Sequence, residues 1–148
     1  MEKRVRTILK NVKEGIFFLS QNFEIKPDYS QSIENILGIY NLENKNFIIL
    51  LENRIPSQII NNTREYLELM FREDLDEEVI NELNPLVETE FFYEDDWGIW
   101  TSSKYLSFNF KRVIVNNKIE ELFVSIKDAT EKVLLSKKLK QTEEHTQK

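Results

Sequence analysis

The sequence predicts an α+β fold: a five-stranded antiparallel sheet with helices on one face and a flanking helix at each end. Three observations predict it. Apolar residues fall at helical spacing near the N-terminus, through the middle of the chain and after residue 130. Two short apolar runs follow the first helix, separated only by Gln21-Asn22. Strand-like runs with stretches of alternation then fill Val87 to Lys127, broken by Asn116-Asn117.

Taken in order, Val5, Ile8, Leu9 and Val12 form one apolar stripe and predict an amphipathic helix over 3–13, ending near Gly15. Gly15–Ser20 and Phe23–Lys26 read as a hairpin with a tight turn, since Asn tolerates positive φ. Pro27-Asp28 stops the second strand. Ser30 is placed to cap a short helix carrying Ile33, Ile36 and Leu37, with Gly38 closing it. Phe47–Leu51 fits either helix or strand. Pro56 opens a longer helix with Ile59, Ile60, Thr63, Leu67 and Met70 or Phe71 inward. Asp74 is the expected cap of the next helix, with Glu77 as capping-box partner and Leu75, Val79, Ile80 and Leu83 as its apolar face. Pro85 ends it.

Val87–Tyr93 is then a strand, and Glu94–Gly98 an acidic, aromatic turn. In Tyr105–Val115, Leu106, Phe108 and Phe110 alternate with Ser107, Asn109 and Lys111. The parity slips at Val113 and Val115, which predicts a bulge or burial on both faces. Asn116-Asn117 marks a hairpin turn, and Glu121–Lys127 returns with Leu122, Val124 and Ile126 on one face. Thr130 is placed to cap a charged helix beginning at Glu131, whose Leu135, Leu139 and Thr142 form a short seam. The chain thus divides into an N-terminal flanking helix (1–14), one domain (15–130), and a C-terminal helix with tail (131–148).

Composition narrows the function. Hydrophobic residues make up 41% of 148 residues, enough for the packed core of one domain. A net charge of -6 argues against nucleic acid and anionic membrane surfaces as partners. The absence of cysteine excludes disulfides, thiolate metal sites, cysteine nucleophiles and cysteinyl-flavin chemistry. Ile16–Leu19 and Phe47–Leu51 are too short to span a bilayer, and the charged opening does not resemble a signal peptide, so a cytoplasmic location is expected. The single histidine, His145, lies in a polar tail, which suits neither a catalytic triad nor a buried haem ligand. Glu88, Glu90, Glu94, Asp95 and Asp96 lack the spacing of a calcium loop and read as a solvated edge. No catalytic residue, metal site or cofactor is predicted.

Several motifs resemble the PAS family. Ile8-Leu9-Lys10-Asn11-Val12-Lys13-Glu14-Gly15-Ile16-Phe17 resembles its opening helix, glycine and first strand. Val124-Ser125-Ile126-Lys127-Asp128-Ala129-Thr130-Glu131-Lys132 resembles its Asp-x-Thr terminus. Tyr29-Ser30 with Ile36-Leu37-Gly38 resembles a subgroup found in bacterial hybrid histidine kinases. The chain departs from the family in its longer helical region between Phe47 and Pro85, and in Asp28-Tyr29-Ser30 where Asn-x-Ala is usual.

The resemblance implies a sensory and dimerisation module of a bacterial signal-transduction protein, not itself an enzyme. Asp128 and Thr130 would then be a relay to a downstream domain such as a histidine kinase. The same pair also fits a simple strand end with a good cap, contributing about 1 kcal/mol. Phe17, Tyr29, Phe91, Trp100, Phe108 and Phe110 are candidates to line a small-molecule pocket, or are ordinary core. Val5, Ile8, Leu9 and Val12 are the candidate homodimer interface. The alternatives are a small-molecule sensor, and a small α+β enzyme with buried carboxylates such as Glu88 or Glu90.

Overall fold

The computed structural model describes residues 14–146. The expected N-terminal helix, with Val5, Ile8, Leu9 and Val12, lies outside the described residues. Four strands form one antiparallel sheet: β1 (Gly15–Leu19), β2 (Thr89–Glu94), β3 (Trp100–Val115) and β4 (Lys118–Asp128), in the order β1-β4-β3-β2. β3 and β4 are joined by Asn116-Asn117, both at positive φ (52° and 63°), the backbone a two-residue hairpin turn requires. The parity slip is a register shift: Val113 pairs with Glu121 but Ile114 with Ile119.

The expected five-stranded sheet is corrected to four among the described residues. Phe23–Lys26 makes only isolated bridges, Leu19 with Ile25 and Glu24 with Asn46. The cause is local. The Ser20 hydroxyl accepts from the amides of Asn22 and Glu24, and its carbonyl accepts from Phe23. Phe23, not Asn22, takes positive φ (64°). The segment then divides its backbone bonds: Lys26 donates to Phe18, while Ile25 donates to Lys45 and accepts from Asn44. It bridges two elements instead of extending one.

Among the described residues there are five helices: α1 (Ser32–Leu37), α2 (Phe47–Leu51), α3 (Ser57–Met70), α4 (Glu77–Asn81) and α5 (Thr130–Thr146). Gly38 closes α1 in left-handed backbone, its amide on the Glu34 carbonyl. A side chain there would meet the Tyr93 ring at 3.0 Å. Ser30 does not cap α1. It is fully buried, accepts from the Ile16 amide and donates to the Glu14 carbonyl, so it ties α1 to β1. Asn46 caps α2, which settles Phe47–Leu51 as helix.

Asp76, not Asp74, caps α4 by accepting from Glu78. Asp74 pairs instead with Arg72 on the surface. Only Ile80 of α4 is buried: Val79 is 64% exposed, and Leu83, beyond the end of the helix, is 60% exposed. A five-residue helix lying along one line of contact has no second face to bury.

Alternation carries Phe17 and Leu19 of β1, Phe91 of β2, Leu106, Phe108 and Phe110 of β3, and Leu122, Val124 and Ile126 of β4 to the inner face. Helices α1 to α3 cover that face. Phe47 sits at the centre, its ring 5.5 Å from Phe17, 5.8 Å from Phe108 and 6.3 Å from Phe110. Among the described residues no helix is long and apolar enough to cross a membrane.

Candidate functional site

The site is built where the sheet hands over to α5. β4 ends opposite β3, with Asp128 paired to Leu106. One residue further back, Tyr105 offers an amide and a carbonyl to the next segment. Ala129 donates to the Tyr105 carbonyl at 2.7 Å, and Tyr105 donates to the Thr130 hydroxyl oxygen at 2.9 Å. Asp128 Oδ1 accepts from the Thr130 amide at 2.9 Å. Both backbone polar groups of Tyr105 are therefore spent on Ala129 and on Thr130, where α5 begins.

This changes the role expected of Thr130. Its side chain holds a strand, and Asp128 supplies the cap. Burial alone would raise the Asp128 carboxyl, but hydrogen bonding from Thr130 and the charge of Lys104, 4.0 Å away, hold it below its usual range. One face of α5 completes the joint. Lys137 donates to the Tyr105 hydroxyl at 2.6 Å and lies 4.7 Å from its ring centre, which holds the ammonium above its usual range. Lys132 pairs with Glu88 at 3.1 Å.

Tyr105 and Lys137 were missed by sequence reasoning. A signal existed: residues seven apart share a helix face, so Thr130 and Lys137 point the same way. Register with β3 cannot be read without the sheet.

The six aromatic candidates separate. Phe17, Phe108 and Phe110 surround Phe47, while Phe91 packs on Tyr93 at 5.2 Å. Tyr29 is half-buried and donates to Glu34 at 3.4 Å. Trp100 is half-buried beneath Arg54, 5.0 Å from its ring centre. Its neighbour in the turn, Trp97, is 87% exposed. Tyr93 donates to the Ile36 carbonyl at 2.6 Å, and burial pushes its hydroxyl up to about 12.

The carboxylates have surface roles: Glu88 is exposed, and Glu90 accepts from Ser103 at 2.8 Å. His145 falls within α5 by backbone. Among the described residues no group of three or more His, Asp or Glu side chains is placed to hold a metal ion.

No family model and no curated protein matches this chain. Solved structures do. The PAS domain of BvgS from Bordetella pertussis superposes with a TM-score of 0.56 at 11% identity, over 97% of this chain and 96% of that one. A sensory box histidine kinase/response regulator from Burkholderia thailandensis E264 gives 0.55 at 10% identity, over 98% of each chain. At such identities the likeness is one of fold, and the chain has the PAS fold.

Proposed function

We propose that this chain, starting from its PAS fold, is a sensory module of a bacterial signal-transduction protein. It relays a change in sheet packing through Asp128 and Thr130 into α5, and from there to an output domain such as a histidine kinase. On this reading the module performs no chemistry, works in the cytoplasm without a cofactor, and pairs with a second copy through its flanking helices, Val5, Ile8, Leu9 and Val12 included. A small-molecule cue is compatible with it, and the net charge of -6 disfavours nucleic acid and membrane partners.

One observation carries the reading: Tyr105 spends both its backbone groups on Ala129 and Thr130. A strand end bonded in this way cannot shift or twist without dragging the helix with it. The histidine-kinase context of the Burkholderia structure, given in its name, supports the choice of output.

The test is a chimera that places this chain ahead of a histidine-kinase catalytic core. Thr130→Val keeps the side-chain shape but removes the acceptor for Tyr105. It is expected to change the basal autophosphorylation rate severalfold while near-ultraviolet circular dichroism stays native. An unchanged rate would overturn the relay.

A further inference from the structure

Alternation along β3 places Leu106, Phe108, Phe110 and then Arg112 on the same, inner side. A guanidinium at a core-facing position demands partners, because it keeps its charge at any working pH. It finds them in one place. Arg112 donates to the carbonyls of Met70 (2.7 Å), Leu75 (2.8 Å), Arg72 (2.9 Å) and Leu69 (3.4 Å). These lie at the C-terminal end of α3 and in the segment leading to α4. A cation there also answers the negative end of the α3 dipole.

Two carboxylates fasten the same segment from the other side. Glu77 accepts from the Arg112 amide at 3.0 Å, and Glu73 accepts from the Ile119 amide at 3.2 Å. Residues 69–77 are thus stapled to β3 and β4 beside the register shift at Val113 and Ile114. α3 is also seated on the core through Tyr66, whose ring meets Phe110 edge-on at 5.4 Å.

We infer that Arg112 is the positioning residue through which the α3–α4 layer sets the position of β3. β3 holds Arg112 toward one end and Tyr105 toward the other, seven residues or about 23 Å apart at strand rise. A displacement of α3 draws on the staple, moves the strand, and reaches α5 through Tyr105. The cue then enters from the helical layer, and no ligand inside the sheet is required. The inference rests on the relay proposed above.

Hydrogen exchange with mass spectrometry on the full chain tests it, using Arg112→Gln, Thr130→Val and unaltered protein. Arg112→Gln keeps a donor but loses the fork, and is expected to speed exchange in 69–77 about tenfold. It is also expected to speed exchange in 105 and 130–133 at least threefold, while peptides from β1 stay protected. Faster exchange confined to 69–77 would overturn the coupling, and no change in 69–77 would overturn the staple. A variant too unstable for the measurement is replaced by Glu73→Ala with Glu77→Ala, which removes both acceptors and for which the same pattern is expected. Thr130→Val separates the two claims. If it leaves 130–133 unchanged, the relay itself fails. If it loosens 130–133 while Arg112→Gln does not, only the staple's role in it fails.

Discussion

The two ends of β3 are fastened in different ways. Near Arg112, one charged side chain collects four carbonyls that lie 37 to 43 residues away in sequence, and it does so beside the apolar core. At Tyr105, the bonds are backbone amides, one hydroxyl and an exposed lysine. The helix they hold keeps Leu134, Leu135 and Leu139 exposed. The Arg112 end is a fixed anchor, since loss of the side chain would leave several carbonyls unsatisfied at once. The Tyr105 end is a joint held by few bonds beside an exposed helix, and it opens as one unit at lower cost than the core. On the proposed relay, a displacement at the anchored end is felt at the joint, and by reciprocity a change at the joint is felt at the anchor.

The largest effect that sharpens this contrast is on the anchor. Arg112→Met removes the donors but keeps the apolar stem. Urea unfolding is expected to show a loss of about 2–4 kcal/mol. A loss below about 0.5 kcal/mol would erase the difference between the ends. Thr130→Val is expected to cost about 1 kcal/mol or less in the same experiment, with the damage local to α5.

Alkaline pH acts on the layer between them. Tyr93 is raised to about 12 by burial, so the stability it contributes is fully present below its ordinary value near 10 and is lost as pH rises toward 12. Tyr66 shifts the same way, burial being the main cause. Melting temperature is expected to fall between about pH 10 and 12, and less so in Tyr93→Phe. The smallest effect is acidic. The Asp128 carboxyl is depressed, so its contribution is present above the ordinary carboxylate value and fades as pH falls below it. Melting of α5 by circular dichroism is expected to shift only slightly, since Asp128 is exposed.

Much of this was legible in the sequence, where the signal was local. Asn116-Asn117, the slip at Val113, Gly38 and Pro56 each act on their own neighbours, and each was placed correctly. Phe23–Lys26 was misread because Ser20 captures two amides that a regular turn would leave free. Asp74 and Asp76 are equally good caps by type, and only the Arg72 pairing decides between them. Of the joint, Asp128 and Thr130 stood out in the sequence. Tyr105 did not, because its bond to Thr130 spans 25 residues. Arg112 was concealed in the same way, although its place in the alternation after Phe110 was a readable sign that a charge faces inward.

The most direct test of the joined strand and helix is residue-resolved native-state hydrogen exchange by NMR. The Tyr105 amide, bonded to Thr130, and the Val133 amide, bonded to Ala129, should open together with one free energy. Both should then shift by the same amount in Thr130→Val. A Tyr105 amide that stays protected with the core while Val133 opens on its own would contradict the account.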